Sequence, residues 1–150
     1  MDEFDARILR ALQANARMSL NELASLVGLS PTPVGRRLRH LEEAGIIEGY
    51  SAVLNEAALG FGVSVFVSVQ LDKQVDEALE IFENAIQSFP EVVDCWLMTG
   101  NRDYLLRIVT TDLSAFERFL VGKMTKVEGV SSIESSIPLR RVKTGLSRCV

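Results

Sequence analysis

The spacing of apolar residues changes period partway along this chain, and that change limits what it can fold into. Up to Gly45, apolar residues recur three or four apart: Phe4, Ile8 and Leu12; Leu20, Leu23, Ala24 and Val27; Val34, Leu38 and Leu41. That is the repeat of helices with one buried stripe. From Val63 every second residue is aliphatic, through Val65, Val67 and Val69 to Leu71. That is the repeat of a strand with one buried face, and neither pattern substitutes for the other. The 150 residues therefore read as two small parts of different class. Two small parts bury less surface than one domain of the same length, and subunit contacts are the cheapest extra source of burial.

In the first part, residues 2–16 read as a helix. Ser19-Leu20-Asn21-Glu22 is a capping box that opens a short second helix, closed by Gly28. Ser30 can cap a third helix, and Pro31 sits at its first position, where a missing N–H costs nothing. This helix runs to Glu43 or Ala44 and stops at Gly45. Ile46 to Leu54 reads as strand, turn and strand, with Glu48-Gly49 as the turn.

The second part alternates strand and helix. After Val63–Leu71 come a stripe at Val75, Ala78, Leu79, Phe82 and Ile86, a strand from Val92 to Met98, and another from Tyr104 to Val109. A second stripe follows at Leu113, Phe116, Leu120 and Met124. A last strand covers Val130 to Leu139, with Ile133, Ile137 and Leu139 on one face. Strand, helix, strand, strand, helix, strand is the ferredoxin-like βαββαβ pattern, an α+β sandwich. Pro138 suits an edge strand, because it cannot donate to a ladder. The expected division is a helix-turn-helix domain over 1–54, a linker over 55–62 and a βαββαβ domain over 63–150.

Several function classes fit poorly. A 47% hydrophobic and 24% charged composition is that of a globular chain rather than a disordered one. No apolar run approaches the roughly 18 residues that span a bilayer. The first residues, Met-Asp-Glu-Phe-Asp, are acidic, so no secretory signal is expected and a cytoplasmic location is. His40 is the single histidine, and the two cysteines, Cys95 and Cys149, make neither a disulfide framework nor a four-ligand zinc site. Cys95 lies in an apolar strand, where inert burial is expected, and Cys149 has no designated base. An enzyme is therefore not expected, nor a metal site, nor a cofactor.

The net charge is −4, so a nucleic-acid binder must gather positive charge locally. The third helix does so. At about 100° per residue, Val34, Leu38 and Leu41 share one face, while Thr32, Arg36, Arg39 and Glu43 lie opposite. Arg37 and His40 lie on the flanks, and both are expected to contact DNA together with Arg36 and Arg39. From Arg36 to His40 there are three arginines, one histidine and no acid. A short helix, a glycine turn and a basic helix form a helix-turn-helix signature, whose last helix enters the major groove. There arginine reads guanine and threonine meets a thymine methyl, while Ser30, Thr32 and Pro33 at the helix entry can meet a phosphate. The strand pair after the helix would be a wing. The simpler reading of the same residues is a three-helix bundle with a solvated arginine face. Gly35 weakens the helix by up to about 1 kcal/mol relative to Ala.

In the second part, Thr99-Gly100-Asn101-Arg102-Asp103-Tyr104 joins two strands. Gly100 permits a positive φ or a close backbone approach. The Asp103 carboxylate can accept from an ammonium group or satisfy its own turn, and loop N–H groups can hold a carboxylate. A zwitterionic amino acid needs both.

The chain resembles the Lrp/AsnC family of leucine-responsive, or feast/famine, transcription regulators. The motifs are Asp2-x-x-Asp5-x-x-Ile8-Leu9, Leu29-Ser30-Pro31-Thr32-Pro33-Val34, Arg36-Arg37, Leu41 to Ile47, Pro90-Glu91-Val92 and Gly100-x-x-Asp103-Tyr104-Leu105-Leu106. The resemblance covers essentially the whole chain. It implies a winged helix-turn-helix on double-stranded DNA, joined to a βαββαβ effector domain that dimerises through its sheet and often assembles to octamers. It also implies an amino-acid effector near Met98, Thr99, Gly100, Asn101, Asp103 and Tyr104 at subunit contacts, with Ser136 and Ile137 contributed by a neighbour. The expected function is a DNA-binding transcription regulator. A free-standing amino-acid-sensing module would use the same second part and leave the arginine face idle.

Overall fold

The computed structural model describes residues 1–143, so Cys149 lies outside the described residues. The chain forms two compact units, Met1–Val53 and Leu54–Arg141.

The first unit is a bundle of α1 (Glu3–Ala14), α2 (Leu20–Val27) and α3 (Pro31–Glu43). Each of the first two helices opens on a capping box. Asp2 and Asp5 exchange backbone and carboxylate bonds at 2.9 and 3.0 Å, and Ser19 and Glu22 repeat the arrangement. Ser30 precedes α3 in extended backbone, but its hydroxyl makes no cap bond. The reason is local: Pro33 occupies the third helical position, so the N–H that a cap most often engages is missing. Ile8, Leu23, Val27, Val34 and Leu41 are fully buried at the centre, with Leu38 packed beside them. At Gly35 of α3 a Cβ would stand 3.4 Å from Leu20 Cδ2 of α2, an ordinary contact distance.

The strand pair expected over Ile46–Leu54 is not formed. Gly45 closes α3 with a left-handed φ of 68°, and Gly45 N–H donates to the Glu42 carbonyl. The N–H groups of Ile46 and Ile47 both turn back to the Leu41 carbonyl. The donors that would begin a hairpin are therefore spent on ending the helix. A lone two-stranded hairpin with no third strand is marginal in any case. Instead Tyr50 reaches back, its hydroxyl donating to Glu42 Oε1 at 2.8 Å.

The second unit is an antiparallel sheet in the order β2-β3-β1-β4, with two helices over one face. The elements are β1 (Val63–Leu71), α4 (Asp76–Gln87), β2 (Val92–Leu97), β3 (Tyr104–Thr110), α5 (Leu113–Gly122), a 3₁₀ turn at Met124–Lys126, and β4 (Val130–Ser136). This is the α+β, ferredoxin-like order. The alternate aliphatics of β1 are buried against Phe82, Ile86, Phe116 and Phe119. Ser64, Phe66, Ser68 and Gln70 lie on the face away from the helices. β4 is an edge strand but stops at Ser136, short of the expected Leu139. Pro138 lacks a donor and restricts Ile137 before it.

Residues 55–62 fold as an ordered turn. Asn55 Oδ1 accepts from Ala58 N–H, and the Glu56 carboxylate takes Arg107 at 2.6 Å. Gly62 is needed by space, because a Cβ there would lie 2.8 Å from the Thr111 carbonyl oxygen. Cys95 is exposed rather than buried, because β2 is the other edge of the sheet. Its thiol is nonetheless pushed up to about 11, first by desolvation and then by the Glu83 carboxylate. Among the described residues no helix is long and apolar enough to cross a membrane, and no group of three potential ligands could hold a metal.

Candidate functional site

Two groups of residues stand out, one in each unit. The first is the outer face of α3. Val34 and Leu41 are buried, and the helical turn therefore presents Thr32, Arg36, Arg39 and His40 to solvent, with Ser30 exposed at the helix entry and Pro33 half-buried. Arg36 and Arg39 make no hydrogen bond or ion pair among the described residues. An open groove of about 530 Å³ is lined by Asp5, Arg36, Arg37, Arg39, His40 and Glu43. A pair of uncommitted guanidinium groups on a rigid helix is what bidentate contact with phosphate or guanine requires.

Arg37 departs from the expectation. Its Nη1 donates to Asp2 Oδ2 at 2.7 Å and to Asp5 Oδ1 at 2.8 Å, and its guanidinium lies 5.4 Å from the Phe4 ring centre. These bonds hold the guanidinium above its ordinary range and help hold the Asp2 carboxyl below its own, after the larger effect of the Asp5 N–H. The third arginine is thus engaged by α1 and does not belong to the free face. Sequence reasoning missed this clamp. The visible signal was the three-residue spacing of Asp2 and Asp5, which marks a capping box. Near the other end of α3, desolvation and then Glu42 push the Tyr50 phenol up to about 12.

The second group is the turn between β2 and β3. Gly100 adopts φ 112°, a conformation that a side chain resists. Met98, Thr99, Gly100 and Asn101 are exposed. Arg102 after them is half-buried, and Asp103 and Tyr104 are buried. Asp103 is 4% exposed. Its Oδ2 accepts the Leu71 N–H at 2.7 Å, and its Oδ1 accepts from Gln74 Nε2. Its own backbone bridges Val69 and Met98. Both carboxylate oxygens are therefore engaged by the protein, and Asp103 braces the turn. Tyr104 is buried, with its ring 4.4 Å from that of Phe82 and its hydroxyl donating to Glu83 Oε1 at 2.7 Å. Desolvation first, then Glu83, raises its phenol above the ordinary range. Tyr104 is a core residue. Arg102 reaches β4, binding Ser132 Oγ at 2.6 Å and Glu134 at 2.7 Å.

What the turn offers is backbone and short side chains. Beside it runs an apolar edge, with Val93, Trp96, Leu97 and Met98 all exposed. Ser136 and Ile137 are exposed too, but Ser136 pairs with Phe66 while the turn's Tyr104 pairs with Val69 further along β1, so one chain does not bring them to the turn.

Residues 1–42 match the AsnC-type helix-turn-helix domain, and residues 64–147 match the Lrp/AsnC ligand binding domain. The chain is 46% identical over 142 residues to the Bkd operon transcriptional regulator of Pseudomonas aeruginosa, covering 95% of this chain and 93% of that protein. It is 40% identical to the leucine-responsive regulatory protein of Rhizobium meliloti, covering 95% and 92%. Among solved structures, a transcriptional regulator–L-Met complex from Neisseria meningitidis superposes with a TM-score of 0.92 at 37% identity, covering 96% of this chain and 93% of that one. Escherichia coli AsnC superposes at 0.86 with 28% identity, covering 100% and 97%.

Proposed function

The chain belongs to the Lrp/AsnC family of transcription regulators, and from that premise we propose how its two parts divide the work. It is a regulator with a helix-turn-helix DNA-binding domain and a ligand-binding domain, and not an enzyme. Residues 1–54 hold the DNA, with Thr32, Arg36 and Arg39 in the major groove and Ser30, Pro33 and His40 toward the backbone. The carrying observation is the pair of arginines with no partner among the described residues, opposite the buried Val34 and Leu41.

Residues 63–150 bind the effector and build the assembly. The effector is an amino acid. Its carboxylate meets the backbone of Thr99, Gly100 and Asn101, its side chain lies by Met98, and Ser136 and Ile137 come from a neighbouring subunit. The open sheet face carries Phe66 and Leu105, with Trp96 on the adjoining edge strand. A second copy covers this face, giving a two-fold dimer that assembles further to an octamer in the cytoplasm. An effector that favours one assembly over another shifts the population, and with it the spacing of the α3 helices.

A salt titration of binding to a selected duplex and a scrambled one tests the DNA reading. Affinity that falls steeply with salt and prefers the selected duplex is expected. Binding by the Arg36→Ala/Arg39→Ala variant equal to wild type across the salt series removes α3 from the role. A thermal-shift screen of the twenty amino acids tests the effector, because a ligand of the folded state raises stability by mass action.

A further inference from the structure

We infer that Arg37, Asp2 and Asp5 form a clamp that positions the reading helix, and that Arg37 does not itself contact DNA. The inference rests on α3 being the helix that reads DNA.

The bonding is closed. Asp2 gives Oδ1 to the Asp5 N–H and Oδ2 to Arg37, and Asp5 gives Oδ2 to the Asp2 N–H and Oδ1 to Arg37. All four carboxylate oxygens thus serve two tasks at once: they start α1 and they hold α3. The Phe4 ring packs against the same guanidinium. Arg37 is 29% exposed and Asp5 only 13%, so the pair is shielded far better than a surface ion pair.

α3 needs such a hold. Val34, Leu38 and Leu41 fix which face is buried, but apolar contact is non-directional and tolerates a small roll or slide. Charge-assisted hydrogen bonds are directional. Arg37 is flanked in sequence by Arg36 and lies two residues before Arg39, so fixing its guanidinium fixes the angle at which those two leave the helix. Groups that must meet fixed partners need a supporting layer of this kind.

The alternative is that Arg37 is a phosphate contact stored on the carboxylates until DNA arrives. The two readings predict opposite signs for Asp5→Asn. That change removes negative charge beside the basic face and frees the arginine. A stored contact then binds DNA more tightly, whereas a lost clamp binds it more weakly.

The experiment is fluorescence anisotropy with the full chain, a duplex selected from a random pool and a scrambled duplex, across a salt series. We expect Asp5→Asn to bind the selected duplex several-fold more weakly, roughly three- to tenfold, and to lose little on the scrambled one. Arg37→Ala should lose about tenfold with an unchanged salt slope, and Arg37→Lys should recover part of that. Asp2→Asn, at the more exposed carboxylate, serves where Asp5→Asn melts below the assay temperature. Unchanged or tighter binding by the aspartate variants overturns the inference. So does a slope in Arg37→Ala reduced by about 0.9, the share of one phosphate. If Arg36→Ala and Arg39→Ala leave affinity intact, the reading of α3 fails instead, which separates the two failures.

Discussion

The outer face of α3 and the turn after β2 carry the chain's two densest clusters of motif residues, and they dispose of them in opposite ways. On α3 the side chains are the surface: Arg36, Arg39 and His40 stand in solvent on a helix whose other side is buried. At the turn the side chains are the foundation: Asp103 and Tyr104 point inward, leaving Thr99, Gly100 and Asn101 exposed. The first arrangement suits a large polyanion, whose charges are met by long cations. The second suits a small ligand, which is met by backbone N–H groups held at fixed angles. The α3 face has one exception that follows the rule of the turn. Arg37 is withdrawn into an ion pair, as Asp103 is withdrawn into a hydrogen-bonded brace.

The contrast breaks most visibly at Asp103. Asp103→Ala removes a charge-assisted bond and leaves the Leu71 N–H buried without an acceptor, so stability should fall by about 3 kcal/mol with no ligand present. Chemical denaturation measures this directly. A variant as stable as wild type, with effector binding lost, would return Asp103 to the ligand. Arg36→Ala should do the reverse. DNA affinity should fall by about 1–3 kcal/mol, with specificity relaxed at one base pair if Arg36 reads a base. Its melting temperature should stay at the wild-type value, because no described residue depends on that side chain.

These outcomes bear on what can be read from sequence. Helix caps and stripes were legible because they are local: Ser19 with Glu22, Gly28, Gly45, and the alternation of Val63 to Leu71. Strand order followed from the order of elements. What was not legible depends on partners distant in sequence. Arg37 meets carboxylates 32 and 35 residues away, and Asp103 meets Leu71 and Gln74, 32 and 29 residues away. Nothing within a few residues of either says whether the charge turns in or out. The missing strand pair after α3 is a different case. Ile46 and Ile47 have strand-forming side chains, but their N–H groups were already claimed by the helix end.

Tyr104→Phe sharpens the comparison at smaller scale. The stack on Phe82 survives and only the bond to Glu83 is lost, so stability should drop by about 1 kcal/mol. Effector affinity should hold, since the hydroxyl faces the helix layer and not the turn. An effector affinity that falls with stability unchanged would place the hydroxyl in the ligand site.

Acid should produce the smallest effect and separate the two units. Three capping carboxyls lie below their ordinary values. Asp2 is lowered chiefly by the Asp5 N–H, Glu22 by the Ser19 hydroxyl and Asp112 by the Ala115 N–H. A carboxyl that is more acidic folded than unfolded stabilises the fold above its unfolded value, here 3.8 or 4.5. That contribution is lost as pH falls through the lower folded value. Stability should therefore be level above about pH 5 and decline below about pH 4. Two of the three groups belong to Met1–Val53, and Asp2 also carries the clamp on α3. The first unit should weaken first. Trp96, the single tryptophan, belongs to the other unit, so its fluorescence follows that unit alone while far-ultraviolet dichroism follows the helices of both. On lowering the pH, helical signal should be lost at a lower temperature than the Trp96 transition. Asp2→Asn should lower the first unit's transition at neutral pH and shrink its further fall on acidification, because the stabilising carboxylate is already absent from that unit. Coincident transitions at every acid pH would show that the caps and the clamp do not set the acid limit of the first unit.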